Sequence, residues 1–323
     1  MHICVFAITS FINHIMPRIF VTNANAKKSH VICTRHDSVW GKCDATVEWH
    51  EKRYQYPHHR LFAYISEYHN TLSNVGTIVL GMSALIFWYQ IQQNGIMVKN
   101  NSQSVLLYMA CVMLIMIGMG SFAFHATSRK WAQRCDEIPM VLFLQIILVY
   151  IGTMVASTDA ICGENALQII NTTASCNIII NNSMSFNIHT IIHTIIHTII
   201  HTIIHTIIHN INNINGVIGI SMVGYWYTKK YWIFTNIILT LAVCVAATLH
   251  YVLSLHPYMK LQHECFTLSI IYIIVGKSAW ELERHQHMIP HITLNFHTVW
   301  HTLSALSCYY CILTCMLFHI NIV

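Results

Sequence analysis

Residues 104–125 read SVLLYMACVMLIMIGMGSFAFH and contain no Asp, Glu, Lys or Arg. An α-helix needs about 20 mostly apolar residues to cross the hydrocarbon core of a bilayer, so this stretch is long enough to span one. Further stretches without those four residue types are also long enough, at 68–98, 138–158, 165–228 and 285–323. The pattern predicts a protein that crosses a membrane several times.

The composition of the whole chain agrees with this prediction. Of its 323 residues, 55% are hydrophobic and 9% are charged, whereas soluble domains carry about 25% charged residues. A large soluble core does not explain this deficit, because a soluble surface still needs charge. The formal net charge is +5, but no basic run with interleaved aromatic residues occurs, which argues against a nucleic-acid-binding face.

The apolar stretches predict an all-α, polytopic bundle of seven transmembrane helices. Six spans are clear, and a seventh is expected between 163 and 228. The six run over 71–92, 104–125, 138–156, 231–253, 265–280 and 296–318. Residues 126–137 are charged and predict a loop. Residues 1–38 are interpreted as an N-terminal extension, and residues 39–323 as the membrane domain, which begins with a polar interfacial segment up to residue 67.

A low-complexity insertion lies at about 160–215 and is rich in Asn, Ile and Thr. Within it the tetrapeptide HTII repeats and places a histidine at every fourth position: His189, His193, His197, His201, His205 and His209. One interpretation is a histidine array that binds divalent metal. On a helix the stripe would drift by about 40° per repeat, whereas on a strand all six histidines would share one face. We favour a tandem expansion in a tolerant loop and assign the tract no function.

The distribution of basic residues predicts a cytosolic N-terminus. Eleven of the 17 Lys and Arg residues lie before residue 61 or within 126–137. These two segments are on the same side if the first two helices both span, and basic residues concentrate on the cytosolic side. Sequons at Asn100, Asn171 and Asn181 would then lie on the opposite side, where glycosylation occurs.

Ionisable side chains inside membrane helices usually face a cavity or a partner, and three positions in this chain need such an explanation. Ser121 and His125 lie four residues apart near the end of the second helix, and His297 and His301 have the same spacing in the last helix. Asp136 lies at the membrane edge, close in sequence to His125. Three imidazoles with one open position describe a catalytic zinc site. A nearby carboxylate can shuttle protons, and a hydroxyl can donate to a developing oxyanion.

Five blocks of sequence resemble the alkaline ceramidase family and occur in that family's order. They are VEWHE at 47–51, SEYHNTLSN at 66–74, GMGSFAFH at 118–125, DEIPM at 136–140 and HTVWH at 297–301. EYHNTLSN followed by GMGSFAFH and DEIPM is the specific combination. The Ser-xxx-His, Asp and His-xxx-His features alone are also shared by the progestin and adiponectin receptor group.

The resemblance implies a seven-helix fold with zinc on His125, His297 and His301, and with Ser121 and Asp136 as catalytic partners. It further implies a calcium site. Its ligands would be Glu48, the Trp49 carbonyl, Glu51 and Glu67, which offer the oxygen atoms that calcium prefers. Where the family has an asparagine ligand, this chain has Arg53, which cannot ligate calcium and would repel it. The expectation of calcium is therefore weaker than that of zinc.

The function expected from the resemblance is zinc-dependent intramembrane hydrolysis of ceramide to sphingosine and a fatty acid, by a multi-pass protein of the endoplasmic reticulum or Golgi membrane. Two alternatives stay open. One is a receptor of the progestin and adiponectin receptor group, in which zinc serves structure. The other is an inactive, degenerate ceramidase.

Overall fold

The computed structural model describes residues 39–56, 58–59, 62–94, 101–173, 218–219, 221–225, 231–256, 258–284 and 295–321. Regular structure within these ranges is helical. The long helices are α1 (Tyr68–Gln93), α2 (Asn101–Thr127), α3 (Lys130–Thr173), α4 (Tyr231–Ser254), α5 (Lys260–Arg284) and α6 (Phe296–Asn321).

All six long helices contain a stretch with the length and hydropathy of a membrane span. The prediction of an all-helical polytopic protein is therefore confirmed within the described ranges. Most of the region expected to hold the seventh span, together with the HTII tract, lies outside the described residues.

The loop predicted over 126–137 is wrong, because α3 begins at Lys130 and only Ser128 and Arg129 separate it from α2. The charged residues of this stretch are typical of a loop. They are nevertheless helical, because the first turns of α3 lie beside the polar interfacial segment rather than in apolar surroundings. Lys130 donates its backbone N–H to Asp44 Oδ1 (2.8 Å) of that segment. The same helix also continues through Pro139.

The helices form a bundle in which α2 and α6 each pack against three other helices. Helix α6 packs against α5, α1 and α2, while α1 packs on α2 and α2 on α3. Small residues permit these close approaches, as is usual between membrane helices. A Cβ added to Gly118 would lie 2.9 Å from the backbone nitrogen of Ile78, and one added to Gly81 would lie 2.9 Å from that of Ile115. Glycine at both positions therefore lets α1 and α2 pack backbone to backbone.

Helix α4 is attached differently from the rest. It packs on α3 but makes only slight contact with α5. This leaves a seam between α4 and α5, which the cavity described below uses.

The interfacial segment crosses one end of the bundle. Its backbone pairs with the α2–α3 junction through Ala45 N–H to the Ser128 carbonyl (3.3 Å) and Ser66 N–H to the Ala126 carbonyl (2.9 Å). The segment thus covers the bundle end at which α2 finishes and α6 begins.

Candidate metal centre

His125, His297 and His301 meet inside the bundle, at the end that the interfacial segment covers. All three side chains are buried, and their candidate ligand atoms lie within 4.8 Å of one another. In the parts of the chain that the structure describes, this is the only group of three or more His, Cys, Asp or Glu side chains placed to share an ion. Helix geometry brings two of the three histidines together, because His297 and His301 are four residues apart on α6 and share a face.

The spacing of one pair of nitrogens is compatible with a shared metal ion. His125 Nε2 and His297 Nε2 are 3.3 Å apart. Two nitrogens bound at about 2.0–2.1 Å in a tetrahedral site are separated by about 3.3 Å. The three imidazoles are thus suitable metal ligands by type, and this pair has a suitable spacing.

Glu67 holds the first of these imidazoles in place. His125 Nδ1 lies 2.6 Å from Glu67 Oε2, and both side chains are buried. Glu67 Oε2 also accepts a hydrogen bond from the Asn70 amide (3.0 Å). A carboxylate on Nδ1 keeps the proton there and leaves Nε2 as the metal-binding nitrogen.

His301 is oriented by α1. Its Nδ1 lies 2.8 Å from Ser73 Oγ, and the Ser73 hydroxyl donates to the Asn70 carbonyl (2.8 Å). The Asn74 amide nitrogen lies 3.2 Å from the same Nδ1. These contacts from α1 fix the ring orientation and leave Nε2 of His301 on the side of the other two histidines.

His297 is fixed by stacking instead. Its ring lies against the Trp49 indole with centroids 3.6 Å apart and planes inclined by 23°. Its Nδ1 has no hydrogen-bond partner among the described residues. The Trp49 indole therefore closes the site on the side of the interfacial segment.

Ser121 and Asp136 lie next to each other in the same buried region. Ser121 Oγ and Asp136 Oδ1 each lack a hydrogen-bond partner of good geometry within the described ranges. Such buried polar atoms are rare in proteins and mark places where water, an ion or a substrate is accommodated.

A contact between Gly120 and Cys135 brings Asp136 to the site. A methyl group on Gly120 would overlap the Cys135 carbonyl oxygen. Cys135 lies four residues before Pro139, which has no N–H to donate to that carbonyl. Pro139 thus frees the Cys135 carbonyl from the α3 ladder, and Gly120 lets it approach α2. Gly120 and Pro139 therefore act together in one contact between α2 and α3.

A cavity of about 470 Å³ runs from the histidines between α3, α4, α5 and α6. Its lining includes the charged residues Asp136, Glu137 and Lys277, and most of the remaining lining residues are apolar. Some lining residues are also on the outer surface along the seam, namely Leu239, Val243 and Ile274. The cavity therefore joins the metal centre to the lipid-facing side of the bundle.

Unlike the three histidines, the glutamates expected at the calcium site each have a different partner. Glu48 is exposed and lies 3.5 Å from Arg53, which stands where the family has its asparagine. Glu67 is engaged with His125. Burial and the charge of Glu67 raise the pKa of Glu51 to about 8.

Glu51 joins the helices that carry the site. Its two oxygens accept the backbone N–H groups of His69 (2.6 Å) and Asn70 (2.8 Å) at the start of α1. It also accepts from the side chain of Asn295 (3.4 Å), whose own Oδ1 caps α6 by accepting the Thr298 N–H (3.2 Å). Glu51 therefore holds the start of α1 to the start of α6.

Some site residues were not predicted from the sequence. Glu137 accepts from the Gln133 amide (2.7 Å) and the Tyr225 hydroxyl (2.7 Å), and all three are buried beside the cavity. The sequence offers no clear signal for these residues, because Gln133 and Glu137 lie in the charged stretch that predicted a loop. The signal for Lys277, which also lines the cavity, was a lone cation after a long apolar run.

A family model described as Ceramidase matches residues 41–322. The chain belongs to the ceramidase family. The match covers all six long helices and every residue of the histidine cluster. It agrees with the resemblance seen in the sequence blocks.

Individual relatives align with a shorter part of this ceramidase-family chain. An alkaline ceramidase of Arabidopsis thaliana is 30% identical over 115 residues, which is 35% of this chain and 39% of the relative. Alkaline ceramidase 3 of Mus musculus is 29% identical over 102 residues, 32% of this chain and 33% of the relative. An alkaline ceramidase of Saccharomyces cerevisiae is 31% identical over 103 residues, 32% of this chain and 28% of the relative. The chain thus aligns with two fifths or less of the length of these relatives.

Proposed function

We propose that this chain is a zinc-dependent intramembrane amidohydrolase that cleaves the N-acyl bond of ceramide and releases sphingosine and a fatty acid. The observation that carries the proposal is the buried three-histidine cluster at the head of an apolar cavity. Membership of the ceramidase family supports the choice of substrate.

A zinc ion held by His125, His297 and His301 would supply Lewis acidity, lowering the pKa of water toward about 7 and polarising the amide carbonyl. The protein's own contribution begins with Asp136, whose carboxylate lies beside Ser121 in the buried site. Asp136 takes the proton from the attacking water and returns it to the leaving amine. Ser121 donates a hydrogen bond from its hydroxyl to the oxyanion of the tetrahedral intermediate and keeps its proton.

The cavity suits a lipid amide better than a soluble one. Its outer wall is formed by apolar residues of α4 and α5, among them Ile238, Ala242 and Ile273. A substrate with two long chains enters through the seam between these helices, so that its chains remain in apolar surroundings. Its amide meets Asp136, Ser121 and the histidines at the polar end.

Calcium is a second, weaker part of the proposal. Glu48, the Trp49 carbonyl, Glu51 and Glu67 supply the oxygens, and the ion would lie in the interfacial segment next to the metal centre. The pairing of Glu48 with Arg53 counts against tight binding. The membrane in which the protein acts is proposed to be that of the endoplasmic reticulum or Golgi.

The test is release of labelled fatty acid from N-acyl-labelled ceramide by microsomes that contain the full chain. Loss of release in both His297→Ala and His301→Ala is expected, with His250→Ala as the matched control, because His250 is exposed on α4. Release by both ligand variants at the wild-type rate would refute the mechanism. Bound zinc without any turnover by the wild type would favour the receptor alternative.

A further inference from the structure

We propose that Lys277, seated on Trp280, is the site that receives the carboxylate of the released fatty acid as it leaves the metal centre. The inference rests on the proposed hydrolysis of ceramide, since that reaction produces a long-chain carboxylate inside the cavity. Nothing in the proposed mechanism itself uses this lysine.

The position of Lys277 is unusual for a cation. It follows a run from Cys265 to Gly276 that contains no charged residue, within a candidate membrane span. It lines the same cavity as the three histidines, and among the described residues that line this cavity it is the one Lys or Arg. An ionisable group in such a place is a candidate functional site.

The indole of Trp280 stabilises the ammonium group at this place. Lys277 Nζ lies 3.3 Å from the Trp280 ring centroid, and Trp280 is buried. A cation over an aromatic face keeps its charge in partly apolar surroundings. The lysine is therefore held at the wall of the cavity rather than extended away from it.

Aromatic rings connect this position to the metal centre. Trp280 packs edge-on against Trp49 with centroids 6.3 Å apart, and Trp49 stacks on His297 at 3.6 Å. Only two indoles therefore separate the lysine from a metal ligand. A carboxylate that leaves the histidines meets Lys277 while its acyl chain still lies along the apolar wall.

The present partner of Lys277 can be exchanged for a carboxylate ligand. Lys277 Nζ pairs with Glu281 at 2.9 Å, but Glu281 is 43% exposed and lies 3.8 Å from Arg284 as well. Exposed pairs of this kind are weak. When the fatty acid engages Lys277, Glu281 keeps Arg284 as a partner, so the exchange leaves no charge unpaired.

The experiment measures binding of a dibrominated stearic acid and of the matching stearyl alcohol to the purified full chain in detergent, by quenching of tryptophan fluorescence. Trp49, Trp280 and Trp300 all line the cavity and report its occupancy. The wild type is expected to prefer the acid over the alcohol by about tenfold or more, and Lys277→Met to lower that preference to about twofold. Lys277→Arg should restore most of it.

Lys260→Met is the matched control. Lys260 lies on the same helix, forms the same type of i,i+4 pair with Glu264 and is 90% exposed. Its loss should leave the preference for the acid unchanged. A second measurement does not depend on changing Lys277: Glu281→Gln removes the competing carboxylate and should tighten binding of the acid about twofold to threefold, without effect on the alcohol.

An unchanged preference for the acid in Lys277→Met, or no gain with Glu281→Gln, would overturn the proposal. The outcome also separates it from the proposed function. If the wild type prefers the acid through Lys277 but releases no fatty acid from ceramide, the carboxylate site exists and its role as a product site is refuted. If the wild type hydrolyses ceramide and Lys277→Met keeps the preference, only this inference fails.

Discussion

The histidine cluster and the acidic residues of the interfacial segment lie at the same end of the bundle, yet they are organised differently. The three histidines are carried by α2 and α6 and converge on one point. The three glutamates have three different engagements: Glu48 with Arg53, Glu51 with the starts of α1 and α6, and Glu67 with His125. Two of the glutamates thus serve the helices that carry the histidines.

The interfacial segment therefore holds the helices and rings of the histidine cluster in place, whether or not it binds an ion of its own. Glu51 fastens α1 to the cap of α6, and Glu67 fixes the ring of His125. Trp49 adds the stacking contact on His297. Residues on this segment are therefore expected to affect the histidine cluster more strongly than a calcium site of their own, and the following predictions are ordered on that basis.

The largest effect is expected when Asp136 on α3 is replaced. Asp136→Asn removes the proposed proton carrier and should lower ceramide hydrolysis by about 10²–10⁴-fold, with the zinc content unchanged. Asp44→Asn is the matched control, since Asp44 is half exposed on the interfacial segment and pairs with Arg129 at 3.5 Å. Similar losses in both variants would contradict the catalytic assignment of Asp136.

A smaller effect is expected for Glu67→Gln. The variant keeps the shape of the side chain but not the charge that holds the Nδ1 proton of His125, so zinc affinity or activity should fall by about 10–100-fold. Competition with a chelator measures the zinc affinity directly. Glu48→Gln should leave it unchanged, and an equal loss in both variants would contradict the assignment of the effect to the contact between Glu67 and His125.

The contact between α2 and α3 gives the next prediction. Gly120→Ala forces the Cys135 carbonyl away and should destabilise the protein by about 1–3 kcal/mol, as overpacking does. A lower melting temperature in detergent, with reduced hydrolysis because Asp136 moves, is the expected result. Gly224→Ala is the control, because a Cβ there meets nothing within 4 Å. Equal melting temperatures for the two variants would speak against the close contact.

The smallest effect concerns calcium. In the wild type, Arg53 lies beside Glu48 and opposes a cation, so millimolar calcium should raise the melting temperature by no more than about 1–2 °C. Arg53→Asn restores the family's ligand type and should enlarge this shift. A large shift in the wild type that the variant does not increase would mean that Arg53 does not weaken the site.

The parts of the molecule that could be predicted from the sequence are those fixed by helix periodicity. The apolar stretches predicted seven spans, and six of them correspond to long helices in the described residues. The spacing of His297 and His301 predicted a shared face on the last span. The start of α3 at Lys130 could not be predicted, because it depends on the interfacial segment that covers those charges. The hydrogen bonds of Glu67 and Glu51 could not be predicted from the sequence either, because they join positions 58 and 244 residues apart in the chain.

The central claim is that His125, His297 and His301 together hold one zinc ion. The direct test is the zinc content of the purified full chain, compared between the wild type and a His297→Ala/His301→Ala variant, with His250→Ala as control. We expect about one zinc per chain in the wild type and the control, and essentially none in the double variant. Wild-type protein without zinc, or a double variant that retains it, would contradict the claim.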